Sequence, residues 1–140
     1  MKTGIHCTVP VPIKMLSDKA VMPTYESENA ACCDLHSTIN AIIEPDQTVL
    51  IPLGFALEVP EGFEFVIRPK LSISYKTGLS IRNSPGTVSA DCRDELKLVI
   101  KNIGSENVTI RQGDVIAQGG PRPMYQANFK VVEEFSDGEE

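Results

Sequence analysis

Apolar residues recur along this chain in short runs, and proline and glycine cut the runs apart. Thr48–Pro52 is one such run, closed by Gly54, and residues 55–59 form the next, closed by the turn Pro60-Glu61-Gly62. Residues 63–67 alternate, which puts Phe63, Phe65 and Ile67 on one face of a strand. Further strands are predicted over 95–101, Val108–Ile110, 115–118 and 129–132, with the turn Arg111-Gln112-Gly113-Asp114 between the second and third of these. Only Leu71–Lys76, bracketed by Pro69 and Gly78, invites a short helix. Asn83-Ser84-Pro85-Gly86 has turn chemistry, and the segments flanking it are expected to form a β-hairpin arm. Many short strands with frequent turns predict an all-β barrel or sandwich, and 140 residues suffice for one such domain.

Composition narrows the picture. Only 6% of residues are aromatic and there is no Trp, so the core must be built from Val, Ile and Leu. A net charge of −6 argues against a nucleic-acid surface, which needs a basic patch to neutralise phosphates. A small phosphate-bearing ligand stays compatible, because a local Lys or Arg outweighs a global charge. Much of the acid sits at the end of the chain, in Glu133, Glu134, Asp137, Glu139 and Glu140, and reads as a solvated tail. The four cysteines, Cys7, Cys32, Cys33 and Cys92, form no C-x-x-C pair and read as buried free thiols suited to a reducing, cytoplasmic setting. Cys32 and Cys33 are adjacent, so on a strand they face opposite ways. With His6 and His36 the only histidines, no metal-ligand cluster emerges. No segment approaches 18 apolar residues and the N-terminus lacks a long apolar stretch, so neither a membrane span nor a signal peptide is expected.

Four segments, in order, carry a resemblance. Pro23-Thr24-Tyr25 followed by Ala31-Cys32-Cys33-Asp34-Leu35 is the first. The second runs Arg68-Pro69-Lys70-Leu71-Ser72-Ile73-Ser74-Tyr75-Lys76-Thr77-Gly78-Leu79. The third runs Gly86-Thr87-Val88-Ser89-Ala90-Asp91-Cys92-Arg93-Asp94-Glu95. The fourth joins Asn102 to Gly113-Asp114-Val115-Ile116-Ala117-Gln118. In this order and at this spacing they resemble the motifs of the trimeric dUTPase family, and the similarity runs from about Val21 to Phe135. The resemblance implies an all-β, dUTPase-like distorted β-barrel or jelly roll that assembles as a homotrimer, with each site built from three chains. It implies a single domain over residues 1–135 and an acidic tail over 136–140, without the family's Gly-rich lid. The family's reaction is attack of water on the α-phosphorus of dUTP, with a Mg²⁺ ion riding on the triphosphate. No protein side chain is expected to hold that ion directly.

Departures from the family pattern shape the functional expectation. Ser89 stands where the family has its general base, and a serine hydroxyl cannot take a proton from water near neutral pH; losing a positioned base costs roughly 10²–10⁴ in rate. Asp91 is the candidate substitute, on the same face as Ser89 if the segment is extended but about two strand steps, ~6–7 Å, away. Cys92 replaces the ring that packs on the deoxyribose, and reads otherwise as a small packing residue. Lys70 and Leu71 replace an Arg and a Ser that hold phosphate; Lys keeps the charge but loses the bidentate fork. Val115 replaces a further Arg, and Cys32 a Gly. Ser72, Asn83, Gly86, Val88 and Gln118 remain as ligand-binding positions beside Lys70 and Cys92, and Asp34 as a structural support without its family partner.

Two functions follow. The leading expectation is a pseudoenzyme that binds a nucleotide, a nucleotide-derived ligand or a protein partner between chains, as suits a viral or mobile-element copy. The alternative is an active dUTP diphosphatase, or a related nucleoside triphosphate pyrophosphatase. In it Asp91 or Asp94 serves as base, and Lys70, Lys76, Ser72 and Gln118 hold the phosphates. Neither nucleic acid nor a membrane is an expected partner.

Overall fold

The structure, a computed structural model, describes residues 7–138. His6, Glu139 and Glu140 lie outside the described residues. Eleven strands and one short helix make up the described chain. In order they are β1 (Ile13–Met15), β2 (Cys33–His36), β3 (Ala41–Ile43), β4 (Thr48–Pro52), β5 (Phe55–Leu57), β6 (Phe63–Arg68), α1 (Leu71–Lys76), β7 (Leu79–Ile81), β8 (Gly86–Val88), β9 (Lys97–Asn102), β10 (Val108–Ile110) and β11 (Val115–Pro123). The all-β expectation holds, and α1 spans the segment the sequence singled out.

Every ladder is antiparallel. β2-β11-β6-β8 form a four-stranded sheet, β4-β9-β7 a three-stranded one, and β1-β5 and β10-β3 pair off separately. The core between them is aliphatic as predicted: Leu35, Ile43, Ile51, Leu53, Leu98 and Ile100 are fully buried, with Phe55 as the one large ring at the centre. Phe65 and Ile67 are buried and Phe63 packs against them, so the alternation on β6 selects the core face. Its outward positions are Glu64, Val66 and Arg68. Among the described residues no helix is long and apolar enough to cross a membrane.

Four expectations change. The segments flanking the Asn83–Gly86 turn do not pair as a hairpin; β7 pairs with β9 and β8 with β6. Each joins a longer central strand of its own sheet, β9 or β6, instead of forming an isolated two-stranded ribbon, which is only marginally stable in water. Residues 129–132 form no strand, and Phe129 and Val131 are exposed, because no ladder partner lies beside them within one chain. β11 runs on past Gln118 to Pro123 along the whole of β6. Finally, of the four free thiols only Cys33 is buried; Cys7 is exposed and Cys32 and Cys92 are half-buried. Cys33 points inward and donates to the Gly119 carbonyl at 3.2 Å, while Cys32 turns the other way, 3.6 Å from the Arg122 guanidinium.

Candidate functional site

Three of the four motifs meet on the outward face of the four-stranded sheet. β11 lies between β2 and β6, and its register sets Gln118 opposite Asp34 on one side and Arg68 on the other. Cys33, Leu35, Ile67 and Ala117 are buried, so strand alternation turns Asp34, Arg68 and Gln118 to the opposite face. Asp34 is anchored from behind, its backbone N–H donating to the Thr24 carbonyl at 2.8 Å. The two halves of the first motif are thereby joined.

Lys70 then reaches back across this row. Its ammonium donates to Asp34 Oδ1 at 2.7 Å and to Glu26 Oε2 at 3.2 Å. Asp34 is therefore re-paired, and Lys70 is a half-buried, ion-paired cation rather than a free surface charge. The hydrogen bond to Asp34, with a smaller contribution from Glu26, holds the Lys70 pKa above its ordinary value against the opposing effect of burial. The ammonium stays charged throughout the physiological range. Gln118 Nε2 donates to the Pro69 carbonyl at 3.1 Å, fixing the loop that carries Lys70. Ser72 is exposed on α1, beside Leu71, which is 80% exposed, and Tyr75.

The third motif lies elsewhere. Gly86, Thr87 and Val88 pair with Ile67, Val66 and Phe65, so the chain runs from the Arg68 end of β6 toward its Phe63 end. Ser89, one residue further, is level with Glu64, which puts it roughly 13 Å along the sheet from Arg68. Asp34 is also three strands across from β8, at about 4.8 Å a strand. Within one chain the base position and the phosphate-facing row cannot touch the same phosphorus.

Ser89 is exposed, and the segment after it is not extended. Cys92 N–H donates to the Ser89 carbonyl at 3.0 Å, closing a turn with Asp91 near its apex. The strand-face relation between Ser89 and Asp91 therefore does not apply, and neither does the spacing drawn from it. Asp91 instead lines a groove of about 510 Å³ with Pro10, Pro12, Pro60, Glu61 and Arg93. Arg93 lies 3.7 Å from Glu58 on its wall. Cys92 packs partly against the core, and Val88 is buried within it. Asn83 spends its amide on β9, donating to Lys97 O and accepting from Val99 N–H. Gly86 lies so near the Asn83 carbonyl that a Cβ there would stand 2.8 Å from it, which makes glycine the residue that lets this turn close.

Two residues of the phosphate-facing row escaped the sequence reading. Glu26 follows the Pro23-Thr24-Tyr25 segment by one residue, and no local pattern links it to Lys70. Arg68 was legible as an outward position, since Phe63, Phe65 and Ile67 face inward and β6 extends one residue beyond them. No group of three or more His, Cys, Asp or Glu residues converges on a common point among the described residues.

The family model for dUTPase matches residues 18–139 of this chain. A deoxyuridine 5′-triphosphate nucleotidohydrolase of Desulfotalea psychrophila is 44% identical over 115 residues, covering 81% of this chain and 77% of its own. One of Nautilia profundicola is 39% identical over 127 residues, covering 91% and 89%. Among solved structures, the G164S mutant dUTPase of Staphylococcus bacteriophage 80alpha with dUpNHpp superposes with a TM-score of 0.84 at 26% identity, covering 95% of this chain and 94% of that one. These likenesses correct the leading expectation of a pseudoenzyme, since relatives at 39–44% identity bear the name of a nucleotide hydrolase. The physical reason lies in what the substitutions spare. They change single side chains, while the row that joins Asp34, Lys70 and Gln118 stays assembled.

Proposed function

The chain belongs to the dUTPase family, and from that premise we propose that it is a working dUTP diphosphatase whose catalytic side chains are rearranged. The observation that carries the proposal is the convergence of Asp34, Lys70 and Gln118 on one sheet face, far from the third motif of the same chain. Such a division calls for a second copy to bring its third motif to this face. The homotrimer is proposed on the same ground, and the exposed apolar residues Leu71, Tyr75, Phe129, Val131 and Phe135 support it as surfaces in want of a cover.

The residues divide the work as follows. Lys70 and Gln118 face the phosphates, and the hydroxyl of Ser72 adds a donor there. Gly86 and Asn83 shape the turn that receives the base. Asp91 of another copy takes the proton of the attacking water. The water oxygen bonds to the α-phosphorus as the bridge to pyrophosphate breaks, giving dUMP and pyrophosphate. Chemistry of this kind depends on placement and charge rather than on covalent help from the protein.

The donor set fits a Mg²⁺ ion carried on the triphosphate. One carboxylate, Asp34, faces the row with a second oxygen not used by Lys70, and Mg²⁺ is ordinarily held by one or two carboxylates and substrate phosphates. When bound, the ion neutralises phosphate charge. Asp34 also holds Lys70 in place beside it.

The decisive assay is pyrophosphate release from dUTP with Mg²⁺, beside dCTP, dTTP and UTP. Turnover of dUTP is expected, with Asp91→Asn lowering kcat by roughly 10²–10⁴. Full activity in that variant would remove Asp91 from the role of base. Silence of the parent chain on dUTP would end the diphosphatase reading.

A further inference from the structure

Lys70 stands where the family has a phosphate-holding Arg, and it is already committed to two carboxylates. Lys70, Asp34 and Glu26 together carry a net negative charge. The side chains alone would repel a triphosphate here unless another side-chain cation faced the same ground. Arg68 does. It sits one strand from Gln118 and two from Asp34 in the same cross-strand row, on the outward face and exposed. Neighbouring Cα atoms in such a row lie about 4.5–5.5 Å apart. Among the described residues the Arg68 side chain takes part in none of the hydrogen bonds or ion pairs, so its guanidinium fork is free.

We propose that Arg68 is the residue that grips the polyphosphate of the nucleotide, supplying the bidentate fork that Lys70 cannot. The inference rests on the reading of this face as the phosphate platform. Carboxylates hold Lys70 still and leave its ammonium one further N–H to donate. Arg68 brings a planar pair of donors that matches two phosphate oxygens at once. Together with Gln118, already tied to the loop before Lys70, it forms a polar strip across three strands whose spacing is set by backbone hydrogen bonds. Arg122 does not compete for this role, because its guanidinium is folded onto the Ala31 and Pro121 carbonyls.

The test compares Arg68→Ala and Arg68→Lys with Arg111→Ala, which removes the same charge from an exposed turn remote from the row. Binding of inorganic pyrophosphate and of deoxyuridine is measured by calorimetry, and dUTP turnover by KM and kcat. Arg68→Ala is expected to weaken pyrophosphate binding and raise KM for dUTP about 10- to 100-fold, the loss of a charge-assisted hydrogen-bonding pair. Arg68→Lys should recover only part of this. Deoxyuridine, which has no phosphate, should bind all three variants like the parent, and Arg111→Ala should match the parent throughout. Pyrophosphate affinity and KM left unchanged by Arg68→Ala would overturn the proposal, as would an equal loss in Arg111→Ala. If the parent fails to turn over dUTP yet loses pyrophosphate binding with Arg68→Ala, the grip stands and the diphosphatase reading alone falls. An unchanged melting temperature in Arg68→Ala is expected, because the side chain has no partner to lose.

Discussion

Asn102 is fully buried, and its amide serves three backbone groups at once: it donates to the carbonyls of Ile43 and Glu106 and accepts from the Gly104 N–H. In the sequence it reads as the first residue of the fourth motif, yet its work is to fasten β9 to β3 and to the loop after it. Asn102→Ala should leave those groups unpaired away from water and cost about 3 kcal/mol, read as a fall in the denaturant midpoint at constant m. Cys33 gives a second prediction at this scale. Burial pushes its thiol up to about 11 from an ordinary 9.0. Between those values the folded chain keeps a proton that the unfolded chain has lost, so stability is complete below pH 9 and falls as pH rises toward 11. The parent's melting temperature should drop faster across that window than that of Cys33→Ala. At pH 8 a thiol reagent should modify Cys7 rapidly and Cys33 only on unfolding.

Strand β11 shows what an element can and cannot reveal through its sequence. Val115 to Gln118 reads as a strand, but Gly119-Gly120-Pro121 reads as its end. The chain continues because Gly119 lies pressed against β6: a Cβ there would stand 2.6 Å from the Val66 carbonyl and 2.7 Å from the Phe65 ring. Glycine here marks a close approach between strands, which local turn chemistry does not distinguish from a break. Gly119→Val should therefore force β11 and β6 apart and abolish cooperative unfolding near 37 °C, as circular dichroism would record. Strands β1, β2 and β3 escaped the sequence reading for a different reason. They are three or four residues long; β1 and β2 interrupt their apolar positions with Lys14, Asp34 and His36, and the apolar run of β3 is only three residues, too short to be told from a loop by pattern. The helix α1 was legible because Pro69 and Gly78 bracket it, whereas its exposed Leu71 and Tyr75 gave no warning that nothing within the chain would cover them.

Across the whole molecule, the fold class was legible, and so were Asp34, Lys70 and Gln118 of the row, whereas Glu26 was not, and the proposed sharing of sites between chains rests on resemblance together with the spacing along β6. The four motifs look contiguous in function when read as a string. Strand β6 separates them, with Arg68 at one end and the level of Ser89 at the other. A complementation experiment tests that separation. Asp91→Asn and Lys70→Ala chains are expected to be nearly inactive alone, and co-refolding them in equal amounts should restore about a quarter of the parent rate, from sites that draw one intact end from each chain. No recovery would mean that each chain works for itself. The same separation has a consequence for gene dosage. A chain damaged at one end of β6 spoils only the sites it serves with that end, so activity in a mixed population declines in proportion to its share. A chain damaged at both ends spoils one site with each, and activity then declines as the square of the healthy share. If sites are shared between chains as proposed, the doubly damaged allele is the more dominant of the two, because one strand then divides a single chain's labour between two neighbours.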